Sequence, residues 1–388
     1  MQRLGKVCAI VVLLSIAAAI LAYSARRSVD RSDFISYWAA GQQLAHRQNP
    51  YDGVAILRIQ HPISPADTVP FFMRNPPWAF FIALPLGFLS DVAGVFVWSA
   101  AIVAALMMSI HLLWVVNGRG DEDLRVAGYF FAPAVLCLMQ EQIGMFLLLG
   151  CALFLHLLPK NLFLAGTVLL LLALKPHLFL PFGVVLLLWV IGRKAYSLLA
   201  GAVCAFALSM GLALLLDRSC LSDYRQMIRI SRVQDDFIPS VSQLLRLLVN
   251  PGWPWLQLVP AALGCTWAAW YFMGRRALWN WMTHGSVLLL VSVMVAPYEW
   301  FADQAVLLVP IMAGLYHAPN RRRAVWLYGG LAAICLGEII FKLNPRSWYY
   351  VWTTPAWLLW YLYVRRTTPI GAGAAPSGMS EVAEEPHI

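Results

Sequence analysis

The chain has 388 residues, of which 61% are hydrophobic and 12% charged, with a formal net charge of +9. An ordinary soluble domain carries about 25% charged residues, so a mean hydropathy of +0.69 excludes one and predicts an all-α polytopic membrane protein. The basic excess orients helices and meets anionic membrane lipids; with no nucleic-acid motif in the chain, no nucleic acid is expected as a partner.

Apolar runs of crossing or near-crossing length lie at 7–23, 92–116, 126–139, 142–158, 161–174, 176–191, 196–216, 253–273, 280–296, 303–316, 324–341 and 348–364. A span needs about 20 apolar residues, with a lower limit near 17, so the shortest runs must borrow polar flanks. The first run follows Arg3 and Lys6 and ends in Ala22-Tyr23-Ser24, which is similar to a signal-peptidase site. A retained first helix is the preferred reading, because the rest of the chain continues as membrane protein. The run 78–89 is too short to cross and follows Pro76-Pro77, so it reads as an interfacial or re-entrant segment.

Twelve spans with cytoplasmic termini put Arg3, Lys6, Arg119, Arg125, Lys160, Arg193, Lys194, Arg275, Arg276, Arg321, Arg322, Arg323, Arg365 and Arg366 in short inner loops. Only Lys175, Lys342 and Arg346 fall in short outer loops, the asymmetry that positive-inside topology requires. Two long loops, 24–91 and 217–252, are then extracytoplasmic. In the second, residues 224–232 alternate apolar side chains with Arg225, Arg229 and Arg232, as in a helix lying on lipid headgroups. Residues 1–366 read as one domain, and 367–388, rich in Gly, Ala, Pro and Glu, as a disordered cytoplasmic tail. Seven cysteines show no metal-ligand or redox spacing, so neither a disulfide framework nor a zinc site is expected.

The informative polar residues sit at loop positions of one face. Asp33 and Tyr37 are four apart, on one face of a predicted helix, with Ala40 and Gly41 small enough for close approach by a substrate or a helix. The alternative for Asp33 is a role at a helix N-terminus, with Ser32 or Asp30 as cap. Asp52, in Pro50-Tyr51-Asp52-Gly53, is first of all a turn residue. Arg74 precedes the rigid Asn75-Pro76-Pro77-Trp78 entry, where it can meet a lipid phosphate. Gln142 follows Glu141 between two spans; Lys175-Pro176-His177 follows a leucine-rich run; Tyr298, Glu299 and Asp303 lie between spans nine and ten. Ionisable residues near membrane depth are functional candidates, although Lys175 can snorkel and Asp303 can cap the next helix. No phosphate-binding glycine loop, dinucleotide fingerprint or His-Glu-x-x-His motif is present.

Asp33-Phe34, the Tyr37-Trp38 pair, Ala40-Gly41 and Pro50-Tyr51-Asp52 resemble the opening of glycosyltransferase family 87. The Pro-Pro entry with Leu84-Pro85-Leu86, Gln142, Ala173-Leu174-Lys175-Pro176 and Ala296-Pro297-Tyr298 with Asp303 follow in the same order, over roughly 30–315. The chain departs from the family in having Glu141 where glycine is usual before the glutamine, Ala-Pro for Ser-Pro in the late segment, and His177 after Lys-Pro.

The resemblance implies a GT-C-type fold in the cytoplasmic (inner) membrane. It also implies sugar transfer from a polyprenyl-phosphate carrier, commonly of mannose and in some members of arabinofuranose, to a lipid or glycan acceptor outside the cytoplasm. By similarity Asp33 is the catalytic base. Charge chemistry then assigns the departing phosphate to Lys175 first, with Arg74 or Arg225 second, and Tyr37, Trp38, Tyr298 and Trp300 offer rings for sugars. No cofactor is expected; a magnesium or manganese ion on Asp33 and a second acid is the alternative to a metal-independent site. The competing readings are a transporter or flippase of lipid-linked substrate, with Asp33 and Asp303 in proton coupling or headgroup binding, and a surface-polysaccharide polymerase or ligase.

Overall fold

A computed structural model describes residues 32–231, 236–344 and 346–366; the first apolar run, Asp30, Arg232 and the tail lie outside them. Every element among the described residues is an α- or 3-10 helix, with no strand. Four helices are long and apolar enough to cross a membrane, namely Asp91–Val116, Pro176–Arg193, Tyr196–Leu216 and Arg321–Ile340. Pro77–Phe88, Gly144–Leu157, Leu162–Leu172, His284–Met294 and Phe301–His317 are apolar but shorter.

Several runs that read as single spans are interrupted. The run at 126–139 divides into Leu124–Tyr129 and Ala132–Met139, because Pro133 has no N–H to bond to the preceding turn. The run at 303–316 opens as a 3-10 helix, Phe301–Leu307, before Leu308–His317. The 78–89 segment is a broken element, with Pro77 and Pro85 each near the start of a 3-10 turn.

Lipid tails do not favour one apolar helix over another, so association depends on close backbone approach at small residues. A Cβ on Gly41 would strike the Ala83 carbonyl, and one on Gly87 the Gly41 carbonyl. The small residues beside Asp33 therefore serve a helix crossing. Gly166 and Gly201 do the same where Leu162–Thr167 meets Tyr196–Leu216. Gly87→Ala is expected to cost about 1–3 kcal/mol, read as a lower unfolding temperature in detergent. Gly183→Ala, inside the helix Leu180–Arg193 with nothing within 4 Å of the new methyl, is expected to leave that temperature unchanged or raise it slightly.

Asp91–Val116, at 26 residues, separates two ends of the molecule by about 39 Å. Near its start the Leu89 carbonyl accepts from Trp38 Nε1 and Gln42 Nε2, both at 3.0 Å. Beyond its last turn Asp121 lies 3.8 Å from Arg321, and Arg125 stacks over Trp114 at 4.6 Å. These arginine-bearing loops occupy the end away from Asp33.

Candidate active site

Stretches far apart in sequence meet at the Asp33 end. Asp33 holds the N-cap position of the helix Phe34–Ala45, yet its side chain makes no cap hydrogen bond. Its main chain is anchored instead. The Asp33 N–H donates to the Gln140 carbonyl at 3.0 Å, and the Asp33 carbonyl accepts from the Ser36 hydroxyl at 2.7 Å. The carboxylate is left for side chains: Gln142 hydrogen-bonds to it, and Lys175, Asp303 and Arg74 lie close enough to act on it. Burial pushes its pKa up against the charge of Lys175, Asp303 adds to the rise, and Arg74 and the Gln142 bond oppose it. The result is about 6. The residue nevertheless keeps part of its surface accessible.

Lys175 is placed by the proline after it. A residue before proline is steered out of helical geometry, and Lys175 has φ −136° and ψ 71°. The break frees two carbonyls, and both are taken up by the Asn75-Pro76-Pro77-Trp78 entry: Asn75 Nδ2 donates to Leu174 O at 2.9 Å and Trp78 Nε1 to Ala173 O at 2.7 Å. Trp78 is thus a latch on the Lys175 turn. Tyr51 steadies the same entry, its hydroxyl donating to Asn75 O at 2.9 Å.

Lys175 does not snorkel. Its Nζ lies 2.5 Å from Asp303 Oδ1, with the two side chains 14% and 1% exposed. Burial alone would lower the lysine pKa, but the charge and hydrogen bond of Asp303, with the charge of Asp33, carry it above its ordinary value. Asp303 Oδ2 accepts from the Trp300 N–H at 3.1 Å at the start of its 3-10 helix, so one carboxylate both caps and pairs. His177 stacks on Tyr298, ring centroids 3.9 Å apart, and its buried Nε2 has no hydrogen-bond partner among the described residues.

Arg74 pairs with Asp236 at 2.7 Å, and the Tyr224 hydroxyl reaches the Arg74 carbonyl at 3.5 Å. Arg225, the next residue, sits on the exposed side of the helix Cys220–Ile230. The arginine that acts on Asp33 is Arg74. On that helix only Cys220 and Met227 are buried, while Ile228 and Ile230 are 36% and 62% exposed.

Other candidates stand elsewhere. Tyr37 is buried, packs on Trp98 at 4.8 Å and bonds the Ile143 main chain, so its ring belongs to the core and is not offered to a sugar. Trp38 spends its indole N–H on Leu89. Glu299 is 1% exposed, accepts from Thr354 Oγ1 at 3.1 Å, and is pushed well above the carboxylate range by burial. It fastens the helix Thr353–Arg366 to the 295–300 loop. Asp52 caps the helix Gly53–Gln60, accepting from the Val54 and Ala55 N–H groups. It lines a separate groove of about 850 Å³ with Arg58, His61 and Asp223. Asp52→Ala is expected to lose about 1 kcal/mol of stability, with the transfer rate unchanged in a turnover assay.

Asp236, 162 residues from Arg74, had no signal in the sequence; Asn75 had one, as the polar residue before two prolines. Among the described residues no group of three or more His, Cys, Asp or Glu side chains is gathered to hold a metal ion.

The molecule is a membrane protein whose polar cluster at one end joins a carboxylate to buried charge. The model of glycosyltransferase family 87 matches residues 72–297, more than half of the chain. The chain belongs to glycosyltransferase family 87 and is by class a membrane glycosyltransferase. The match takes in Arg74, Gln142, Lys175 and His177, whereas Asp33, Tyr298 and Asp303 lie outside it. No curated protein and no solved structure matches the chain.

Proposed function

We propose that the enzyme transfers a sugar, mannose first among candidates, from a polyprenyl-phosphate carrier to a lipid or glycan acceptor, with Asp33 as general base. The observation that carries this reading is Asp33 itself. It stands where a cap would stand, caps nothing, and has a pKa of about 6 beside Lys175. A base poised near the working pH is the efficient kind.

In the transfer the acceptor hydroxyl gives its proton to Asp33 as its oxygen forms the bond to the anomeric carbon. The bond from that carbon to the phosphate oxygen breaks, and the electron pair leaves with the prenyl phosphate. One in-line displacement inverts the anomeric configuration. Lys175 and Arg74 are the cations available to the departing phosphate; each already holds a carboxylate, Asp303 or Asp236, which keeps the site near neutral until the donor arrives. The arginines in the loops at the opposite end favour the cytoplasm, which supports reading this site as extracytoplasmic. Burial of prenyl CH₂ groups, each worth about 0.8 kcal/mol, anchors the donor beside it.

The test is purified enzyme with prenyl-phosphate mannose labelled in the sugar and a membrane extract as acceptor source. Label in a new product, with prenyl phosphate released, is the expected result. Label crossing a vesicle membrane on an intact carrier, with no product, would instead establish the flippase reading.

A further inference from the structure

Asp33 is held by a turn, residues 140–142, whose Gln140 carbonyl receives its N–H and whose Gln142 side chain meets its carboxylate. At the centre of that turn Glu141 has φ 54°. A side chain in this left-handed region is strained, whereas glycine would sit there without strain. The Glu141 side chain adds a second cost, since the residue is only 1% exposed and a buried carboxyl is unfavourable unless hydrogen-bonded.

The long helix Asp91–Val116 offsets part of both costs from one place, while Ser32, beside Asp33, also acts on the Glu141 carboxyl and Oε2 keeps no geometric hydrogen-bond partner among the described residues. Ser99 Oγ donates to Glu141 Oε1 at 2.8 Å, and Trp98 Nε1 donates to the Glu141 carbonyl at 2.8 Å. The Trp98 ring also packs on Tyr37 of the Asp33 helix, and the Tyr37 hydroxyl returns to the main chain at Ile143. The circuit therefore closes from turn to long helix to Asp33 helix and back. Strain that surrounding contacts over-determine marks places where geometry is being held.

We infer that Glu141 is a positioning residue, which with Ser99 and Trp98 clamps the 140–142 turn so that Gln142 and the Gln140 carbonyl fix the Asp33 carboxylate against its substrate. The inference rests on the reading of Asp33 as base. Burial also pushes the Glu141 pKa up, and glutamine keeps the shape of the side chain and an oxygen to which Ser99 can donate.

The experiment uses the full-length enzyme and Glu141→Gly, Glu141→Gln, Ser99→Ala and the Glu141→Gly/Ser99→Ala pair. Each is measured for kcat, donor KM, unfolding temperature and the rate at which a hydrophobic carbodiimide labels Asp33. Glu141→Gly removes the clamp and relieves the strain. It is expected to unfold near the wild-type temperature, with kcat down about tenfold to a hundredfold and donor KM unchanged. Glu141→Gln is expected to keep kcat within about threefold, because shape and hydrogen bond persist. Ser99→Ala should lower kcat in the same direction, and the pair should be no worse than the worse single variant, as for residues of one device. Asp33 labelling should change in step with kcat. Should Glu141→Gly fail to fold, Ser99→Ala decides alone.

Wild-type kcat and labelling in these variants, or fully additive losses, would overturn the inference while an inactive Asp33→Asn left the base reading standing. An active Asp33→Asn would remove the base reading, and the inference with it.

Discussion

Asp33→Asn is expected to lose about 10²–10⁴-fold in kcat and yet to unfold at a higher temperature than the wild type at pH 7.5. The two effects share one cause. An aspartate titrates near 3.8 when exposed and near 6 in this fold, so between those values the folded state binds more protons than the unfolded one. Stability then falls as pH rises through that window, and at pH 7.5 the wild type bears the whole cost of an ionised buried carboxylate. Asparagine has nothing to ionise. Its advantage, on the order of 2 °C, should vanish below about pH 4, where both side chains are neutral. Thermal unfolding between pH 4 and 7.5 measures this directly. An asparagine variant less stable than wild type at pH 7.5 would mean that the attraction to Lys175 outweighs burial.

The second large effect belongs to the Lys175–Asp303 pair. Lys175→Met leaves Asp303, 1% exposed, without its cation, and such an orphaned charge costs about 3–5 kcal/mol. Lys175→Met/Asp303→Asn removes both charges while leaving an amide oxygen for the Trp300 N–H, so much of the lost stability should return. Transfer should not return with it, since the departing phosphate has lost its cation. Asp33 also loses a neighbour that lowers its pKa, so any residual activity should need a higher pH. A double variant that recovers both folding and wild-type turnover would reduce the pair to a structural strut.

The membrane class was legible because charge is scarce along the chain, and that scarcity makes each polar residue at a span end conspicuous. Asp33, Gln142, Lys175 and Asp303 were found in this way, and the structure brings all four together. Pro176 also announced the break that aims Lys175 inward. Other features depend on partners that local pattern does not contain. Whether an apolar run continues as one helix turned on residues such as Pro133 and on 3-10 turns at Phe301–Leu307. Tyr37 has the right spacing from Asp33 for a shared face, but Trp98, from a distant helix, claims its ring. Arg74 and Arg225 look alike as cations; only the fold turns one toward Asp33 and the other outward. Gly41 could as well have admitted a substrate as the Gly87 backbone it meets. Glu141 looked like an ordinary departure from a glycine position until its backbone angle and the Ser99 bond gave it a place.

The pH dependence of transfer, measured with purified enzyme and labelled prenyl-phosphate sugar, tests the role of Asp33 most directly. The base must be ionised to accept a proton, so kcat should climb as pH rises through about 6 and then level, with that limb absent from the residual activity of Asp33→Asn. A wild-type rate that is flat from pH 5 to 8, or an asparagine variant that retains the same limb, would contradict a carboxylate at position 33 acting as the base.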